Sequence, residues 1–220
     1  MRLTWNQGTR VKATVAFLRQ QLLTALKDTV LIVCYQPDAR DATQLELVGH
    51  AFATAWDFEF GRIGWVTQLV VNVDFRNRYI ATSLLQMLKQ SSPFLGIMAI
   101  GLVSSHPAAC HALAKYASTA IQSIDTLFYR DIVDSILKAS PVKYLRDAKL
   151  RGSLFEENCT SGAVSSVYTN FYVDHAEPLD ALSVYQRRQQ WVLGELLDGH
   201  EFITVLPTRG STSPVQHGDA

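Results

Sequence analysis

Residues 65–89, WVTQLVVNVDFRNRYIATSLLQMLK, constrain the fold more than any other stretch of this chain. A β-branched run from Val66 to Val73 reads as a strand and breaks at Asp74-Phe75. The chain then turns through Arg76-Asn77-Arg78 and enters a helix with Ala81, Leu84, Leu85 and Leu88 at i, i+3, i+4 and i+7. The first N–H groups of such a helix have no partners within it, and the macrodipole is positive there. With two arginines beside it, this turn is a ready anion site, and a pyrophosphate is its usual occupant.

Composition narrows the anion. Lys+Arg and Asp+Glu number 20 each, so no global field recruits nucleic acid or an anionic membrane, and a basic turn points to a small ligand. Charged residues make up 18% and apolar ones 48% of 220 residues, which describes a compact globular chain with a substantial core. Near-zero net charge permits self-association, so a monomer or homodimer is expected. Cys34, Cys110 and Cys159 are odd in number and widely spaced, which argues against a disulfide framework. His106, Cys110 and His111 have partly helical spacing, but no carboxylate or second cysteine completes a set, so no metal is expected. No apolar leader opens the sequence, and its longest apolar run, 94–103, falls short of the roughly 20 residues that cross a bilayer. A cytoplasmic location is expected.

Along the chain, periodicity predicts a helix over 9–27, strands at 29–35, 45–56 and 63–73, a helix over 79–90, and a strand at 94–103. Ser104-Ser105-His106-Pro107 starts a helix that runs to about 120, and more helix follows at 124–137. A loop at 150–162, a strand at 163–173, a helix at 178–197 closed by Gly199, and a strand at 201–206 complete the pattern. A single domain over 1–207 is expected, with a flexible tail at 208–220. Short turns make the early strands antiparallel, while the crossover through the 79–90 helix makes its flanking strands parallel.

In this setting Arg76-Asn77-Arg78-Tyr79-Ile80-Ala81, after strand Leu69-Val70-Val71-Asn72-Val73, resembles the Arg/Gln-x-x-Gly-x-Gly/Ala signature of the GCN5-related N-acetyltransferase (GNAT) superfamily. The run from Gly101 to Ala109 resembles the family's next strand, turn and helix, and the likeness covers about residues 45–117. It implies an α+β, three-layer α-β-α fold with a mixed, mostly antiparallel sheet splayed beside the signature strand. It also implies acetyl-CoA, or another acyl-CoA, as co-substrate and a small-molecule or amine-bearing acceptor. The implied CoA contacts are Val71, Asn72 and Val73 for pantetheine, Arg76, Asn77, Arg78, Tyr79, Ile80, Ala81 and Thr82 for pyrophosphate, and His106 at the next turn. Tyr79 stands where the family has glycine, Leu113 stands where it often has a general-acid tyrosine, and only residues 2–5 offer a first strand. Tyr116 is the nearest substitute acid.

An ammonium with pKa near ~10.4 must lose a proton before it attacks a thioester, so a base is needed. The signature strand carries Gln68 and no carboxylate before Asp74, which leaves Asp57, Glu59, His50 and the cluster Asp174-His175-x-Glu177. His175, oriented by Asp174 or Glu177, is the first candidate; the same cluster also reads as a hydrogen-bonded anchor before a helix. The function expected is amine acetylation by direct attack on the thioester. The alternatives are a catalytically degenerate CoA-binding protein with a regulatory or scaffolding role, and an unrelated nucleotide- or phosphate-binding α/β protein.

Overall fold

A computed structural model describes residues 25–38, 40, 41, 43–172 and 174–208. Almost all of the 9–27 helix, the candidate first strand at 2–5 and the tail beyond residue 208 lie outside the described residues. Thr208 itself is buried, and its N–H donates to the Met98 carbonyl at 2.9 Å.

Seven strands form one sheet in the order β1-β2-β3-β4-β7-β6-β5. They are β1 (Thr29–Pro37), β2 (Leu45–Phe58), β3 (Gly61–Val71), β4 (Ala99–Ser104), β5 (Lys149–Arg151), β6 (Ser166–Tyr168) and β7 (His200–Pro207). Helices α1 (Ile80–Lys89), α2 (Pro107–Tyr116), α3 (Leu127–Arg130), α4 (Val133–Ala139), α5 (Lys143–Arg146) and α6 (Ala176–Arg187) flank it. Every neighbouring strand pair is antiparallel except β3 with β4, as a crossover through α1 requires. The sheet is therefore the mixed, mostly antiparallel one expected.

The predicted stripe of α1 buries Leu84, Leu85 and Leu88, each worth about 1.5–3 kcal/mol in transfer terms. Gly49 of β2 lets this helix come close: a Cβ there would lie 3.1 Å from Ile80. Strand alternation then assigns the two faces. Gly49 and Gly64 face the α1 layer, whereas Trp65 crosses the opposite face and lies flat over Gly101, where a Cβ would be 2.3 Å from its ring.

Several boundaries differ from the sequence reading. The helix expected at 178–197 ends at Arg187, because no apolar residue between Tyr185 and Trp191 sustains its stripe and Gln189 turns left-handed at φ 55°. Gly199 is thus a turn glycine before β7, not a helix stop. The strand expected at 163–173 shrinks to Ser166–Tyr168, since Ala163 forms an isolated bridge with Gly194 and Asn170 is left-handed. Residues 124–137 form two short helices rather than one, the first opened by Asp125, whose carboxylate accepts from the Leu127 and Phe128 amides. Pro93 opens a 3₁₀ turn at Ser92–Phe94, so β4 starts only at Ala99. Lys149–Arg151, read as the edge of a loop, pairs with β6.

Candidate active site

The parallel seam between β3 and β4 is short: Ile63↔Ala99 through Val66↔Leu102 are paired, and nothing beyond. Immediately after Val66, β3 bulges. Ala53 faces Val66 and Phe52 faces Gln68, leaving Thr67 as the extra residue. Such a bulge bends its strand and increases the local twist. The strand stays paired with β2 as far as Val71 while β4 leaves it, so the two open into a wedge. Along 67–71, every second main-chain group is turned toward the side that β4 has vacated.

The wedge opens onto the basic turn. Asn72 ends β3 by accepting the Asp74 N–H on its side-chain oxygen at 3.2 Å, and its own N–H donates to the Val48 carbonyl. Two residues of the turn, Asn77 (φ 59°) and Tyr79 (φ 61°), are left-handed. Tyr79 therefore keeps the backbone conformation that glycine would provide. Its side chain is 81% exposed and leaves the concave side of the turn open. No side chain caps α1, and its first intrahelical bond runs from Ser83 N–H to the Tyr79 carbonyl. The amides of Ile80, Ala81 and Thr82 thus present the donors that an anion needs. Arg78 stacks on the Phe75 ring at 5.2 Å and has no carboxylate partner among the described residues.

Arg76 is engaged differently. Its Nε donates to the Val71 carbonyl at 3.3 Å, and its Nη1 forms an ion pair with Glu177 in the first turn of α6. The same Glu177 oxygen accepts from His106 Nε2 at 2.9 Å. His106 Nδ1 accepts the Ala108 N–H at 3.0 Å, which assigns the ring proton to Nε2 and leaves His106 no lone pair for base chemistry in this arrangement. Arg76 follows β3 and His106 follows β4, so Glu177 straps together the ends of the two strands that diverge. Burial tends to raise the Glu177 pKa, but the bonds from Arg76 and His106 outweigh it and hold the carboxyl below its ordinary range.

The other predicted catalytic groups are scattered. Asp174 accepts the Ala176 N–H at 2.9 Å, an Asx turn just ahead of α6, instead of orienting His175. His175 is buried; its Nδ1 lies 3.9 Å from Asp198, and its Nε2 has no hydrogen-bond partner. The expected Asp174–His175 pair is not formed. Tyr116 ends α2, at the opposite end from His106, with its hydroxyl buried and unpartnered; burial pushes its pKa up to about 12. Asp57 pairs with Arg62 at the β2–β3 hairpin, roughly 17 Å along β3 from the bulge, and Glu59 lies in the same hairpin. His50 and Gln68 do meet, at 3.3 Å, on the face opposite α1.

Sequence reading missed Glu201. This half-buried carboxyl at the start of β7 lies beside the Ser105 N–H and the Thr169 hydroxyl. Burial pushes its pKa above the ordinary carboxylate value, and those two donors only partly offset the shift. A glutamate opening an EFITVL strand looks solvent-facing; only the insertion of β7 between β4 and β6 buries it.

Among the described residues no group of three or more His, Cys, Asp or Glu is placed to hold a metal ion, and no helix is long and apolar enough to cross a membrane. No family model and no curated protein matches the sequence. Solved structures with partial likeness include the NatC complex bound to Gag peptide and CoA, at 17% identity and TM-score 0.36, over 48% of this chain and 65% of that one. Another is the diaminobutyrate acetyltransferase EctA from Paenibacillus lautus with L-2,4-diaminobutyric acid and coenzyme A, at 23% identity and TM-score 0.27, over 36% of this chain and 48% of that one. The loading GNATL domain of CurA from Lyngbya majuscula aligns at 13% identity and TM-score 0.27, over 68% of this chain and 76% of that one. The chain spans about half to two thirds of the length of the first two.

Proposed function

We propose that this chain is a GNAT-type acyl-CoA-dependent N-acyltransferase that moves an acetyl group to an amine. The observation that carries the reading is the wedge between β3 and β4, opened by the Thr67 bulge and ending at the uncapped start of α1. An unpaired strand edge suits an extended amide-bearing arm such as pantetheine, and the amides of Ile80, Ala81 and Thr82, with Arg78 beside them, suit its pyrophosphate. Acetyl-CoA supplies the activated thioester. Main-chain N–H groups turned into the wedge beside the bulge stabilise the oxyanion that forms when an amine attacks that carbonyl. The acceptor lies on the face of His50, Gln68 and Trp65, opposite α1.

A second reading, a CoA-binding protein without turnover, is favoured by specific residues. Gln68 replaces a strand carboxylate, Leu113 replaces a tyrosine, and the nearest tyrosine, Tyr116, has a buried hydroxyl.

Titration calorimetry with CoA, acetyl-CoA and ATP tests the common ground. CoA and acetyl-CoA are expected to bind and ATP to bind far more weakly; no heat with either CoA species refutes both readings. Arg78→Glu is expected to weaken CoA by tenfold or more, because charge-assisted bonds contribute about 1.5–3 kcal/mol. Thiol release across a panel of amines then separates transfer from mere binding.

A further inference from the structure

We infer that Glu201 takes the proton from the acceptor ammonium at the mouth of the wedge, directly or through one water. This rests on the acyltransferase reading and supplies the base that β3 lacks. The register fixes its place. Ser104 pairs with Phe202, so Glu201 stands one step further, beside Ser105, where β4 has already parted from β3. Gly101 pairs with Val205, so Val205, Ile203 and Glu201 share the face crossed by Trp65. Trp65 is the residue before the last paired position of the seam. Tyr144 of α5 approaches the Trp65 indole, and Glu201 is close enough for its charge to raise the phenol. Two strands and a helix therefore gather a carboxyl, an aromatic wall and a phenol near the place where β3 and β4 separate.

The chemistry of the group also fits. A carboxylate taken partly out of water ordinarily has a cation beside it, yet no Lys or Arg pairs with Glu201 among the described residues. Its neighbours are the Ser105 amide, the Thr169 hydroxyl, the Tyr144 phenol and the Cys110 thiol, whose pKa burial raises to about 12 and which is therefore neutral. A carboxyl with a raised pKa is a stronger base than an exposed one. One proton passes from the ammonium to Glu201, and the freed nitrogen pair forms the C–N bond. As the tetrahedral adduct collapses, the C–S bond breaks with its electrons on sulfur. The nitrogen's second proton goes to the departing thiolate, and the proton on Glu201 returns to solvent.

The test compares wild type, Glu201→Gln, Glu201→Asp and Thr169→Val in thiol-release assays with acetyl-CoA and a panel of small amines and peptide N-termini, alongside CoA calorimetry. Glu201→Gln should lower kcat by 100-fold or more while its CoA affinity stays within twofold, which also reports a folded protein. Glu201→Asp should recover part of the rate. Thr169→Val removes a neighbouring hydroxyl that lowers the carboxyl pKa and should move the acid limb of kcat/KM to higher pH. Turnover of Glu201→Gln within threefold of wild type, or an unmoved acid limb in Thr169→Val, overturns the assignment and leaves the acyltransferase reading standing. Wild type that binds acetyl-CoA but transfers to no amine overturns both.

Discussion

Replacing Glu177 with glutamine removes one charge from the strap across the wedge and nearly nothing from its shape. Glu177 occupies Arg76, one of the two cations that a pyrophosphate would use, so it acts as an internal anion in competition with the ligand. The size of that competition follows from exposure. Arg76 is 39% and Glu177 54% exposed, so the pair belongs with surface ion pairs worth about 0.2–1 kcal/mol, not with buried ones. Freed of it, Arg76 should tighten CoA binding up to about fivefold, since 1.4 kcal/mol is tenfold. The gain should shrink from 50 to 300 mM salt, because the Debye length falls with ionic strength. The measurement is calorimetric titration of CoA into wild type and Glu177→Gln at both salts, with Arg76→Gln and the double variant closing a cycle. If Glu177→Gln binds CoA no better, or more weakly, Glu177 positions Arg76 instead of competing for it, and the reasoning fails. Acid should act like the substitution. The folded pKa of Glu177 is depressed, so the strap's stabilisation is complete above the unfolded carboxylate value and is lost as pH falls through the folded one.

Other perturbations follow from single contacts. Tyr79→Gly relieves a left-handed tyrosine, a gain of about 1–2 kcal/mol against roughly 0.5–1 kcal/mol of added chain entropy, so denaturant melts should show a small stabilisation. Gly101→Ala drives a methyl into the Trp65 ring and should cost about 1–3 kcal/mol in the same assay, with a red-shifted or broadened tryptophan emission. Cys34 and Cys159 are partly exposed whereas Cys110 is fully buried, so a thiol reagent should titrate two cysteines in the native protein and the third only on unfolding.

The strand, turn and helix at 61–89 were legible because their signals are local: a β-branched run, a polar break and a 3.6-residue stripe. The single parallel pairing was legible too, since a crossover helix leaves no other choice. The bulge was not, because Thr67 looks like any other strand residue until its register with β2 is known. Residues 174–177 read from sequence both as a catalytic rim and as a hydrogen-bonded anchor before a helix, and local sequence does not choose between them. A helix start sends Asp174 to a backbone amide and Glu177 across to Arg76 and His106. Glu201 was illegible for a longer-range reason: its burial is set by strands 30 and 100 residues away in sequence.

The seam between β3 and β4 makes this sheet two antiparallel halves held together by four residue pairs, whereas β2 and β3 share ten. A ligand arm lying in the wedge would extend that seam in the manner of a borrowed strand. Occupancy of the site and cohesion of the domain are then one thermodynamic quantity. Any molecule that fits the wedge stabilises the folded chain by RT ln(1 + [L]/Kd), and so raises its melting temperature, by closing the one seam that four residue pairs leave short.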